Sequence, residues 1–228
     1  MRKNPVWIAS AILTAAFLGI MYSFAPAYVC SSYLLTSVFL YFLCVYISIS
    51  LHNKEDEVFE GILLLHCHSG AEYYVSRELL QTGACLIFAL ILSIFPVVRD
   101  ITWPGYFTRS VTAEDVFYGG LTILFSGFCG IETGDLFHPR YISRKAGLAA
   151  VILLSILAVC KHSLIAVLPV FKFLDILTPP IMDSLLLLGN SDRFDHFGTL
   201  LIVLHLFLFS LTAALIKIKL LSVKKSLD

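Results

Sequence analysis

Charge is scarce in this chain of 228 residues: Asp, Glu, Lys and Arg supply only 14% of it, the two signs cancel to zero, and 58% is hydrophobic. A soluble globular protein carries about 25% charged and about 45–50% apolar residues. The mean hydropathy of +0.88 therefore excludes an ordinary soluble domain. With neither a basic nor an acidic surplus, the charge balance gives no reason to expect nucleic acid as a partner. The G-x-x-x-x-G-K-[ST] phosphate loop is absent, and so are H-E-x-x-H and G-x-S-x-G. The chain thus lacks the phosphate-loop, zinc-protease and serine-hydrolase signatures. Its six cysteines (Cys30, Cys44, Cys67, Cys85, Cys129 and Cys160) form no C-x-x-C pair and sit mostly in apolar runs, where they read as small core residues. Repeats and low-complexity tracts are also missing, so residues 1–228 read as a single transmembrane domain.

What is present is a series of apolar runs. A spanning helix needs about 20 mainly apolar residues, and six segments qualify: Val6 to Ala25, Ser32 to Leu51, Leu79 to Val98, Val116 to Ile131, Ala146 to Leu168, and Phe197 to Leu221. The fourth is short and extends toward Ala113. The expected fold is all-α and polytopic, with six transmembrane helices. Residues 169–196, broken by Pro179-Pro180 and dotted with Lys172, Asp175 and Asp183, are too interrupted for a lipid-exposed span.

Positively charged flanks stay in the cytoplasm. An N-terminus inside puts Arg2, Lys3, Lys54, Arg77, Arg140, Arg144, Lys145, Lys217, Lys219, Lys224 and Lys225 on the inner side. Arg99, Arg109, Lys161, Lys172 and Arg193 then lie outside. This imbalance predicts both termini in the cytoplasm, in a multi-pass protein of the cell membrane, the bacterial cytoplasmic membrane being the expected one. A cleaved signal peptide over the first apolar run, ending at Ala25-Pro26-Ala27, is the alternative, and the remaining topology stands with it.

The most polar stretch is the inner loop 52–78. Within it Val58, Phe59, Ile62, Leu63 and Leu65 recur at helical spacing, with Asp56, Glu57 and Glu60 on the other side. This is a short amphipathic helix. Helices that bind anionic lipid carry Lys and Arg on the polar face, so an acidic face favours a protein partner, against the plainer reading of a solvated loop resting on the bilayer.

Here the sequence resembles the type-2 permeases of ATP-binding-cassette exporters. Those proteins have six helices, cytoplasmic ends and, after the second helix, a segment approximating E-x-G-T-L-E-x-L-L-x-L-P-x-S, followed by an aromatic and a basic residue. The run Glu57-Val58-Phe59-Glu60-Gly61-Ile62-Leu63-Leu64-Leu65 matches its acidic-then-apolar part, Ser69 the serine, Tyr73-Tyr74 the aromatic part and Arg77 the basic entry. The family's Gly-Thr is Val58-Phe59 here, its Pro is Cys67 and its Lys is Arg77. The family also carries a re-entrant segment between helices five and six, where Pro179-Pro180 falls.

The resemblance implies an export permease for a peptide, lipid or drug-like substrate. In that reading residues 52–78 couple to a separate ATPase subunit, with Val58, Phe59, Ile62 and Leu63 as apolar anchors and Glu57 and Glu60 as rim charges. Ser69 and Arg77 belong to the same coupling segment. The chain itself holds no cofactor; ATP and Mg belong to the ATPase, and the permease works as a dimer with a second copy or a homologue. The basic loop Gly134 to Gly147 is a second candidate contact. Two rival readings remain: a substrate-binding membrane subunit of an uptake transporter, and an intramembrane hydrolase built around His162 and His205.

Other polar residues carry less. On a helix the imidazoles of His66-Cys67-His68 diverge, so no metal site is expected there. Asp175, Asp183 and Asp192 are candidates for an outer gate. Glu132 and Asp135 read as interfacial caps, and Gly119, Gly120, Gly127 and Gly130 as a helix-packing face. The aromatic band Tyr33, Phe39, Tyr41, Phe42 and Tyr46 suits either a path for an amphiphilic substrate or plain lipid and helix contacts.

Overall fold

The computed structural model describes residues 5–52, 66, 70–138, 142–188 and 192–224. All regular structure among them is helical. The helices are α1 (Pro5–Met21), α2 (Val29–His52), α3 (Gly70–Thr102), α4 (Ala113–Asp135), α5 (Arg144–Val167), α6 (Leu174–Leu177), α7 (Ile181–Leu188) and α8 (His196–Lys224), with a 3₁₀ turn at Pro169–Phe173 between α5 and α6.

Five of these, α2, α3, α4, α5 and α8, are long and apolar enough to cross a membrane. The first predicted span is the difference. It ends at Met21 rather than Ala25, and its 17 residues reach about 26 Å at about 1.5 Å per residue, less than the ~30 Å of a hydrocarbon core. Ser10 and Thr14 point to the protein from its buried side, whereas Ile8, Ile12, Leu13 and Ile20 are exposed.

The other boundaries move outward. α3 begins at Gly70, so the last third of the predicted 52–78 loop is already helix, and it runs through Pro96 to Thr102. α4 starts where a capping box supplies the signal: Thr112 Oγ1 accepts from the Asp115 backbone N–H and the Asp115 carboxylate accepts from the Thr112 N–H. Ser143 caps α5 through the Ala146 N–H. The broken stretch after α5 forms the 3₁₀ turn and two short helices, neither able to span.

The core is the pairing of α2 with α4, the most extensive helix contact among the described residues. The two run parallel, and glycines on one face of α4 set their separation. A Cβ at Gly119 would strike the Tyr33 ring, one at Gly127 would strike Cys85 and Leu40, and one at Gly130 would strike the Tyr41 carbonyl. Gly134 meets Ser48 in the same way. Small residues let the backbones approach, which in lipid replaces the missing hydrophobic drive between helices. α3 and α8 pack on the other flanks of α4, and α1 on α2, where Phe17 stacks on Phe39 with centroids 4.0 Å apart. α5 is held more lightly, touching α4 slightly and the short helices beyond its end, with Tyr41 Oη 3.4 Å from Ser155 Oγ.

Candidate functional site: buried charges at one end of the bundle

Where α2 and α4 finish, four helices bring together polar groups that the apolar sequence around them does not announce. Lys217, on α8, is 3% exposed, and Glu132 and Asp135, on α4, are 5% and 3% exposed. The Lys217 ammonium pairs with Glu78 of α3, with Glu132 at 3.0 Å and with Asp135 at 3.3 Å. Asp135 Oδ1 also accepts from the Ser48 hydroxyl of α2 and from Gln81 Nε2 of α3, the latter at 3.3 Å. The positions explain the meeting. Glu78 and Gln81 are about one turn apart on α3, as Glu132 and Asp135 are on α4, so each pair shares one helix face. Only burial of both faces against α8 completes the group.

Glu132 and Asp135 are therefore not interfacial caps, as their place at a helix end suggested. Both are buried and ion-paired. Lys217, counted as a retained positive flank, points into the bundle. The one signal was Lys217, which sits between Ile216 and Ile218 within an apolar run: an ionisable residue within a span is a functional candidate by default, though its position does not say which way the ammonium points.

Arg77 is buried beside this cluster, at 9% exposure, and its Nη1 is 3.0 Å from His138 Nε2. Arginine has only donors, so His138 accepts at Nε2. The first turns of α3 are thereby joined to the loop after α4. Of the predicted coupling residues, Arg77 is described and lies here. Glu57, Val58, Phe59, Glu60, Ile62, Leu63 and Ser69 lie outside the described residues, as does Cys67-His68. Among the described residues no group of three or more His, Cys, Asp or Glu side chains could hold a metal ion.

The three predicted gate aspartates do not form one group. Asp183 Oδ2 is 2.9 Å from Lys161 Nζ and its Oδ1 2.6 Å from His162 Nε2, while Asp175 is 3.7 Å from the same lysine. Asp192 is elsewhere. It accepts from the Val29 N–H at the start of α2 (3.1 Å) and from the Thr108 hydroxyl (2.7 Å), and its backbone carbonyl accepts from Arg109. Arg109 in turn holds Asp115 through two bonds of 2.6 and 2.7 Å. That hydrogen bonding raises the Arg109 pKa further above its ordinary value, so the cation persists at every accessible pH. Asp192 and Arg109 thus tie three loops together at this end of the bundle. His162 pairs with α7, whereas His205 lies on α8, and α5 has no substantial contact with α8. The two histidines are not brought together.

The predicted aromatic band divides. Tyr33 and Tyr41 are fully buried against other helices, whereas Phe42 and Tyr46 are exposed. Phe42 borders an apolar groove between α2 and α5 of about 350 Å³, closed by Val45, Ile49, Val151, Ile152 and Ile156.

Comparison with protein-family models, with curated proteins and with solved structures returned no match. The class rests on the fold: five long apolar helices make the chain an all-helical, multi-pass membrane protein.

Proposed function

We propose that the chain is a membrane permease subunit driven by a separate cytoplasmic ATPase, exporting a peptide, lipid or drug-like substrate as a dimer. In this reading α1 is the first of six spans, both termini are cytoplasmic, and the ends of α2 and α4 face the cytoplasm. The observation that supports it is the bond from Arg77 to His138. Arg77 follows the acidic amphipathic segment that resembles a coupling helix, and His138 follows α4, so a pull on that segment would be carried into the central helix pair. The buried charges beside Arg77 suit such an arrangement, because ion pairs held across helices have discrete alternative partners rather than a continuum of positions.

The experiment is co-purification. The full chain is co-expressed with a candidate ATP-binding-cassette ATPase from the same genome, first unaltered and then carrying Phe59→Asp and Ile62→Asp. Loss of the ATPase from the purified complex, with the permease still folded and membrane-inserted, is the expected result. Retention of the ATPase by both variants would overturn the coupling assignment.

A further inference from the structure

We infer that the cleft between α1 and α3 holds an anionic phospholipid, with its phosphate on Arg99 and an acyl chain laid along α1. The inference goes beyond the export reading and does not depend on an ATPase partner.

The cleft starts from a gap in the packing. α1 lies on α2 and has no substantial contact with α3 among the described residues, and the space between them is about 670 Å³. Tyr22 of α1 and Phe95 of α3 both line it, their ring centroids 4.9 Å apart. On the α1 side the lining includes Ala15 and Gly19. These two are one turn apart and share a helix face, which the exposed Ile8 and Ile12 continue. A Cβ added at Gly19 would meet nothing within 4 Å. Small residues therefore leave an apolar channel open along α1, about 10 Å long from Ala15 to Tyr22 at about 1.5 Å per residue.

Arg99 supplies the charge. It stands in the last turn of α3, about 30 Å along that helix from Glu78 and the buried cluster. Its Nη2 donates to the Tyr22 carbonyl at 3.1 Å. Its guanidinium carbon lies 4.7 Å from the centre of the Trp103 ring and 4.9 Å from that of Tyr106. These contacts position the group without neutralising it. Arg99 forms no ion pair with a described carboxylate, and the neighbouring Asp100 accepts instead from the Val111 N–H. The Arg99 Nε is also without a hydrogen-bond partner among the described residues. An uncompensated cation against a membrane-spanning bundle is costly, and an anion relieves it. A guanidinium matches phosphate in particular, through two parallel hydrogen bonds.

The occupant follows from the two halves together. A free phosphate would leave the channel over Ala15 and Gly19 unfilled, and a fatty chain alone would leave Arg99 uncompensated. A phospholipid satisfies both. The exposed Trp103 marks the depth of the headgroups, because tryptophan gathers at the membrane–water interface. The headgroup is anionic rather than zwitterionic, since a choline would restore the positive charge that the phosphate removes.

Lipid-quenched fluorescence tests this. In a Trp7→Phe background Trp103 is the sole tryptophan. The full chain is reconstituted in phosphatidylcholine vesicles containing phosphatidylglycerol brominated in its acyl chains, and quenching is compared with that by brominated phosphatidylcholine. Phosphatidylglycerol should be preferred by about fivefold, the ratio for one cation and an anionic headgroup near the surface. Arg99→Gln should bring the ratio close to one. Gly19→Leu should do the same, because it fills the channel where the backbone has room and leaves every polar contact in place. A ratio close to one in the parent chain, or a preference that survives Arg99→Gln, overturns the site. A preference that survives Gly19→Leu overturns the seat of the acyl chain. Excess inorganic phosphate at constant ionic strength should leave the parent ratio unchanged; if it abolishes the preference, Arg99 takes a soluble anion and the lipid assignment fails. None of these results bears on ATPase binding, so the two proposals fail separately.

Discussion

Lys161 Nζ lies 2.9 Å from Asp183 Oδ2, with the lysine side chain wholly buried although it stands in the apolar helix α5. This pair fastens α7 to the last turns of α5. Removing one member of a buried pair costs about 3–5 kcal/mol, because the other charge is left without compensation. Lys161→Ala should lower the thermal unfolding temperature markedly in detergent. Asp175→Asn, at a side chain 50% exposed, should change stability by no more than about 1 kcal/mol.

The α2–α4 contact offers a steric test. At Gly130 an added methyl meets the Tyr41 backbone carbonyl, which cannot swing aside as a side chain would. Gly130→Ala should destabilise by about 1–3 kcal/mol, the usual cost of overpacking. Gly83→Ala, in α3 with nothing within 4 Å of the new carbon, should be neutral or gain up to about 1 kcal/mol from helix propensity. Thermal unfolding of the two variants side by side separates packing from propensity.

Asp192 should act as a clamp rather than a gate. Asp192→Ala removes the acceptor for the first N–H of α2 and a bond from Thr108. A loss of about 1–2 kcal/mol is expected, the range for a helix N-cap. Hydrogen exchange should quicken around Val29 and Thr108 and stay unchanged near Lys217. Arg109→Lys should reproduce part of the effect, since an ammonium cannot make the paired bonds to Asp115.

The buried cluster predicts a recovery. Lys217→Met should destabilise by about 3–5 kcal/mol through the carboxylates it leaves behind. Adding Glu132→Gln should restore part of that loss, because one of the opposed charges is gone. A double-variant stability equal to the sum of the single losses would mean that Lys217 and Glu132 do not interact.

Much of the helical layout could be read from the sequence, because hydropathy over about 20 residues is a long-range average that tolerates errors at the ends. Its weak point was α1, where apolar residues continue to Ala25 but the helix turns at Met21. The glycines of α4 were also legible, since small residues spaced along one helix face have few other uses in a span. The charges were not. Glu132, Asp135 and Lys217 sit near helix ends, where interfacial placement is the ordinary outcome. Nothing local distinguishes an end that points to water from one that points inward. That distinction depends on the rotation of three helices about their axes, and it appears only once Glu78 and Gln81 are seen to share a face of α3. Asp175, Asp183 and Asp192 divide into two groups for a related reason: closeness in sequence placed them on one segment, but their cations, Lys161 for the first two and Arg109 for the third, come from different parts of the fold.

The glycine face of α4 also has a mechanical meaning. Backbones in contact along nearly the whole length of two parallel helices cannot slide without lifting over each residue in turn, so α2 and α4 move as one beam. α5 has no such seam; between it and α2 lies the shallow apolar groove at Phe42. A sideways swing of α5 on its Lys161–Asp183 contact, on a flank where no glycine seam holds it to α2, would widen that groove toward lipid rather than toward water.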